Sequence, residues 1–293
     1  GSAAGGGGRV YLEGTNSFIN QGSATNENIS ANKGGHAKGI SFPQGISGLK
    51  LWLDAADLTS AGATWKDKSG NGNHATKHNT PTVVTNAQNG LSLMRYDKVS
   101  AHASTDYHEW NDINDMRTIF AVFKRDSGNN GTILTDDSVY HFFSIGTQMI
   151  HSGHGHAHIR NGLYKLNGSS ITASSTNYPA NLSIVAIRPT GNVEASRIGR
   201  DRNQNDYHFD GDYGELLIFN TALSDDDMVS VENYLAHKWG LSTSTRLGED
   251  GTVRVVRPQV SSLEFTAGTL TIDTDKGEIA HSDGSFLLGE FTD

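Results

Sequence analysis

Residues Ser224–Leu241 read SDDDMVSVENYLAHKWGL, the one clean helix signal in a chain otherwise punctuated by glycine and asparagine. Ser224 is a good N-cap, and Asp227 three residues on completes a capping-box-like pair. Asp225, Asp226 and Asp227 set negative charge against the positive end of the helix dipole, with His237 and Lys238 in the last turn. Met228, Val231 and Leu235 fall on one face with Tyr234 beside them, and Gly240 supplies the C-terminal stop. A helix with a single apolar stripe needs a sheet to pack against, so the question becomes what precedes it.

What precedes it reads as β. Five Asn-Gly pairs, at 71–72, 89–90, 130–131, 161–162 and 167–168, supply the strongest short-range hairpin signal, because both residues accept the positive φ of a type I′ turn. Between and around them run Gly48–Asp54, Arg117–Phe123, Thr132–Leu134, His141–Ile145, Leu182–Ile187 and Gly214–Phe219, short apolar segments of strand type. Many short strands separated by turn signals predict an all-β antiparallel sandwich or barrel and not a βαβ fold. The composition agrees. Hydrophobic residues make up 35% and charged residues 19% of the 293, with the balance in the small polar residues of turns and exposed strand faces.

Bulk properties also narrow function. A net charge of −9 with no basic block argues against a nucleic-acid partner. The absence of cysteine excludes a disulfide scaffold, a thiolate metal site and a Cys nucleophile. No apolar run approaches the ~18 residues needed to span a membrane, so membrane insertion is not expected. An acidic surface suits a secreted protein and tolerates calcium.

Three segments carry a resemblance. GLKLWLDAADLTS (48–60), WKDKSGNGNHAT (65–76) and FDGDYGELLIFNTALSDDDMVSVENYLAHKWGL (209–241) resemble the laminin-G-like and concanavalin-A-like lectin jelly-roll domains of large bacterial extracellular surface proteins. The resemblance covers roughly 45–242. It implies two antiparallel sheets face to face, with the short C-terminal helix laid across one edge. The flanks differ in texture: 1–39 and 248–293 are Gly-rich with short β segments at Val10–Leu12, Thr252–Val256, Leu263–Phe265 and Thr269–Ile272. They resemble Gly-rich β-solenoid-like repeats. Each is too short to bury a core alone. The expected organisation is therefore a jelly roll, residues 40–247, inserted into a smaller β-rich flanking domain made of 1–39 and 248–293.

Three constellations qualify as sites. Tyr107, His108 and Trp110 lie in the polar stretch STDYHEWNDIND, where rings on a sandwich rim would stack on sugars; the competing reading is cover over a neighbouring apolar patch. Asp206, Asp210, Asp212 and Glu215 approach the last core strand, Asp136 and Asp137 sit near another strand end, and such acids offer oxygens for Ca²⁺, while Asp210-Gly211 also reads as a plain turn. His154, His156 and His158 alternate in MIHSGHGHAHIRNG; in an extended strand they share one face and would suit a transition metal, or form a solvated surface. WKDKSGNGN is read as a turn cluster whose side chains hydrogen-bond their own backbone.

Enzyme motifs are missing: there is no Glu-x-Asp-x-x-Glu run of a glucanase, no Gly-x-Ser-x-Gly, no His-Glu-x-x-His and no P-loop. The reading is a non-catalytic extracellular, cell-surface adhesion module that binds glycans or cell-surface polysaccharide through the jelly-roll rim, with calcium. The competing reading is a structural subunit that self-associates into a filament or sheath through its Gly-rich β flanks.

Overall fold

The computed structural model describes residues 43, 45–62, 64–97, 104–126, 131–202 and 207–244, together with three strands further on, 262–265, 268–273 and 278–281. By its contacts the chain divides into two units, Gly48–Thr245 and a second made of residues 1–47 and 246–293. In the second unit the three strands β13 (Ser262–Phe265), β14 (Gly268–Asp273) and β15 (Glu278–His281) form an antiparallel sheet in that order. Expected strands at Val10–Leu12 and Thr252–Val256 lie outside the described residues.

The Gly48–Thr245 unit is an antiparallel β-sandwich. Its strands are β1 (Leu49–Asp54), β2 (Thr64–Trp65), β3 (Ala75–His78), β4 (Thr82–Gln88), β5 (Leu91–Tyr96), β6 (Tyr107–Met116), β7 (Thr118–Arg125), β8 (Leu163–Leu166), β9 (Ser169–Ile171), β10 (Ser183–Arg188), β11 (Val193–Ile198) and β12 (Gly211–Phe219). Two helices accompany them, a single turn α1 (Ala157–Arg160) and the long α2 (Asp225–Trp239). The larger sheet runs β4-β5-β12-β7-β10-β8-β9, and the smaller runs β11-β6-β3-β2. All nine residues of β12 are buried. Strand β7 pairs along nearly the whole of β12, while the opposite edge is shared: β5 takes Gly211–Tyr213 and β1 takes Glu215–Phe219.

Period-two alternation gives the large sheet two buried faces. Leu51, Leu53, Ile119, Ala121, Phe123, Val185, Ile187, Leu216 and Ile218 point inward and form one core with Trp65, Trp110, Ile113, Met116, Val193 and Ala195 of the small sheet. The intervening Trp52, Phe120, Val122, Ile184, Leu217 and Phe219 are buried too. Their cover is α2, whose Met228, Val231, Leu235 and Trp239 are fully buried and which packs on β7 and β10. The helix therefore lies on the outer face of the central strands and not across an edge. The physical reason is that two-faced burial of β12 leaves an apolar surface that only a helix of this length covers.

Both ends of α2 follow the sequence. Ser224 Oγ accepts from the Asp227 N–H at 3.1 Å and donates to its carboxylate at 2.9 Å. Gly240 closes the other end in the left-handed region (φ 62°). Two side-chain amides from the β4–β5 turn add to it: Gln88 Nε2 donates to Trp239 O and Asn89 Nδ2 to Lys238 O, both at 2.9 Å. Gly214 lets the Trp239 ring lie flat on β12, since a Cβ there would stand 3.0 Å from Trp239 Cζ2. Gly214→Ala is expected to cost about 1–3 kcal/mol by overpacking, read as a lower denaturant midpoint with an unchanged slope.

Two of the five Asn-Gly pairs turn hairpins. Asn89-Gly90 joins β4 to β5 and Asn167-Gly168 joins β8 to β9, with positive φ at all four residues. Asn71-Gly72 belongs to a turn cluster, Asn161 caps α1, and Asn130 lies outside the described residues. The expected strands at Thr132–Leu134 and His141–Ile145 are loops; only an isolated bridge joins Thr135 to Arg197.

Candidate functional site

The three aromatic residues expected on the rim are in the core or covered. Residues 107–116, read as a polar stretch, form β6, the longest strand of the small sheet. Trp110 points inward and donates from Nε1 to Ala195 O. His108 is fully buried between the sheets, with Nδ1 2.8 Å from the Tyr96 hydroxyl and its ring against the edge of Trp65. Burial holds it neutral, with its pKa pushed down to about 3. Tyr107 faces outward but is 6% exposed, because His78 stacks on one side at 4.2 Å and Arg200 lies over the ring at 3.8 Å. None of the three presents a ring face to a sugar.

The calcium ligands expected around β12 do not converge either. Asp212 is buried and its carboxylate is held by the Arg95 guanidinium through two bonds of 2.7 and 2.8 Å, with Lys124 Nζ at 3.3 Å. Its charge is already balanced. Asp210 serves the sheet end through its carbonyl, which accepts from Asp126 N–H, and Asp206 lies outside the described residues.

The histidines do not share a strand face. His154 sits in a turn, His156 is the N-cap of α1, and His158 is inside that helix. Glycines at 153 and 155 favour the turn over an extended run. Their rings are committed elsewhere: His156 Nδ1 accepts from His158 N–H at 3.2 Å, and His158 Nδ1 lies 2.9 Å from Thr190 Oγ1. His141 joins this group, its ring 4.2 Å from that of His156 and its Nδ1 accepting from Glu194 N–H at 3.0 Å. A ring whose Nδ1 accepts a backbone N–H carries its proton on Nε2, which opposes metal ligation there.

What the fold assembles instead is a rim built from the loop after Asp136. Asp136 is 2% exposed and staples the loop. Its Oδ1 accepts from Ser138 N–H, Ser138 Oγ and Val139 N–H, and its Oδ2 from Ser196 Oγ at 2.7 Å. Burial alone would raise its pKa, but these donors hold it below the ordinary carboxylate value. Among the described residues, Asp112, Asp136 and Asp137 form the one set of acidic or histidine ligand atoms all within 4.8 Å of one another. Glu194 stands close enough that burial, then Asp136, Asp112 and Asp137, push its pKa up. Asp137 is raised by burial and by Asp136, with Arg197 at 3.7 Å opposing. Like charges crowd here, so the rim attracts cations and hydrogen-bond donors.

Beside the carboxylates lies an aromatic surface. Tyr140 is 47% exposed, the most exposed large hydrophobic side chain among the described residues. Its ring has Arg202 over it at 4.3 Å and meets Phe143 edge-on at 6.0 Å. Phe143 in turn packs on Tyr207 at 4.9 Å and on His151 and His154 at 5.9 Å each. Asp112 also lines a shallow groove of about 440 Å³ on the small sheet, with His74, Thr76, His78, Glu109 and Asn111. Sequence reading missed Tyr140 and Tyr207, which no expected element contained, and Phe143, which fell in the expected strand His141–Ile145. The signal against that reading was two consecutive Asp followed by Ser, the composition of an Asx turn.

The loop is acid-sensitive by construction. Burial, then His156, pushes the His141 pKa down from 6.5 to about 4, against Asp136, and His156 is lowered by burial and by His158. A depressed folded-state pKa means that the unfolded chain binds the proton first. The contribution is therefore fully present above about pH 6.5 and is lost as the pH falls through about 4. The thermal midpoint is expected to fall across that window. His141→Asn, which keeps an acceptor where Nδ1 stands but cannot charge, is expected to flatten part of the fall.

No family model matches the chain, and neither a curated protein nor a solved structure matches it. No helix among the described residues is long and apolar enough to cross a membrane.

Proposed function

We propose that this chain is a non-catalytic, extracellular cell-surface module that binds carbohydrate through the Asp136–His158 rim. The observation that carries the reading is Tyr140, 47% exposed on the rim while Arg202 and Phe143 pack against its ring. Rigid aromatic faces bind the apolar side of a sugar ring, and neighbouring carboxylates accept its hydroxyl protons. The sandwich with its capped helix also fits the resemblance to laminin-G-like and concanavalin-A-like lectin domains, although fold alone does not assign function. Calcium belongs to the reading at Asp112, Asp136 and Asp137, which offer three of the six to eight oxygens the ion takes, leaving the rest to water or a sugar.

A panel of bacterial and algal polysaccharides, titrated calorimetrically with calcium and then with chelator, tests this. Tyr140→Ala is expected to weaken binding about tenfold, equivalent to about 1.4 kcal/mol, with no shift in thermal midpoint. An unchanged affinity in that variant, or no glycan bound at all, would remove the reading. Asp137→Asn separates the calcium part, since it abolishes any chelator effect and leaves stacking intact.

The assembly reading is favoured by a separate observation. Among the described residues, β13 and β15 each pair on one side only, and an open edge is a template for strand addition from a second copy. Filaments seen by electron microscopy of the full chain would support it, and dispersed monomers at high concentration would exclude it.

A further inference from the structure

A second cluster of buried charge lies under α2. Asp54 and Glu215 face each other across the β1–β12 register, and they are 3% and 0% exposed. Lys238, from the last turn of α2, reaches between them, with Nζ 2.6 Å from Asp54 Oδ1 and 2.8 Å from Glu215 Oε2. Lys68 approaches from the other side, 2.6 Å from Asp54 Oδ2 and 2.7 Å from Asp57. Rings enclose the group: Trp52 Nε1 and the Tyr234 hydroxyl donate to Glu215 Oε1, Trp239 Nε1 donates to Oε2, and Lys68 lies over the Trp52 ring.

An amine held against a buried carboxyl, with a second carboxyl bonded to that amine, is more than an ion pair. Water is excluded, the partners are fixed at contact distance, and a proton acceptor touches the nucleophile. We propose that Lys238 and Asp54 condense to an intramolecular amide that ties the last turn of α2 to strand β1, with Glu215 as the proton carrier.

The step balances without a co-reactant. One proton of the Lys238 ammonium passes through Glu215 to Asp54 Oδ1, and the freed amine attacks the now neutral Asp54 Cγ. The negative charge that develops settles on Oδ2, where Lys68 stabilises it. Glu215 then carries a second proton from the nitrogen to Oδ1, the Cγ–Oδ1 bond breaks, and one water leaves. Nitrogen ends with one hydrogen, the departing oxygen carries two, and Glu215 returns to its starting state. Burial, then Asp54, raises the Glu215 pKa, which suits an acceptor of the lysine proton. Lys68 is not the nucleophile. It divides its contacts between Asp54 and Asp57, and it is the more exposed of the two lysines, 30% against 18%.

Intact-mass spectrometry of the denatured full chain tests this first. The expected mass is short of the sequence by one water, with a tryptic peptide joining the Asp54 and Lys238 segments. Lys238→Arg keeps the charge and is expected to restore the full mass. A succinimide at Asp210-Gly211 also sheds one water, so a deficit that persists in Lys238→Arg overturns the proposal. A wild-type chain at full mass, or a cross-link mapped to Lys68, overturns it equally. Should Lys238→Arg not fold, the wild-type mass and peptide map decide alone.

Discussion

Replacing Glu215 with alanine is expected to lower the unfolding free energy by about 3–5 kcal/mol, the usual loss when one partner of a buried charge network is removed. Four groups are affected at once: the indole N–H of Trp52, that of Trp239 and the Tyr234 hydroxyl lose this acceptor, and Lys238 Nζ keeps only Asp54. Two of them belong to the last turn of α2 and one to β1, so helix and sheet lose the same anchor. Glu215→Gln keeps the shape but turns an amide N–H₂ toward one pair of these donors, so it recovers only part of the loss. Equilibrium urea unfolding measures both variants. A cost below about 1 kcal/mol for the alanine variant would mean that apolar packing alone docks the helix.

Asp67→Ala should be the second large loss, about 2–4 kcal/mol. The carboxylate is 8% exposed and organises the turn 65–73 by accepting from the backbone N–H groups of Trp52, Ser69 and Asn73 and from Ser69 Oγ, at 2.7–2.9 Å. Asn71 and Asn73 then return side-chain N–H groups to Leu49 O and Lys50 O. Without Asp67 the Trp52 N–H is buried and unpaired, which carries most of the cost. Asp67→Asn keeps one acceptor oxygen and should lose about half as much. Thermal unfolding ranks the two, and equal losses would contradict this division.

Reading WKDKSGNGN as a self-bonded turn holds for Asp67, which accepts from Ser69 and Asn73 N–H, whereas Asn71 and Asn73 bond to Leu49 and Lys50 of β1, which local chemistry does not announce. Local chemistry suffices for α2, whose cap, stripe and stop are encoded within eighteen consecutive residues. Strands β1, β7, β10 and β12 of the large sheet were legible because they are apolar on both faces, whereas β4 and β9, largely exposed, gave no such signal. Strand β6 was not, since YHEWNDINDM mixes a buried His and Trp with exposed Asn and Asp, and its core side becomes apolar only opposite Tyr96 and Trp65. The rim was the least legible part. Asp112, Asp136 and Glu194 are brought together by strand order, and nothing local to any of them announces the others.

Strand β12 has a consequence for biosynthesis. It lies between β7 on one edge and both β1 and β5 on the other, yet it is the last strand of its unit to be made. Pairings that close over more than a hundred residues are slow to form, because the loop entropy is lost before the contacts return it. Until residue 219 leaves the ribosome, the apolar faces of β1, β5 and β7 have no centre to assemble on. The chain is thus expected to fold late and at once, with those strands open until then to pairing with a neighbour's.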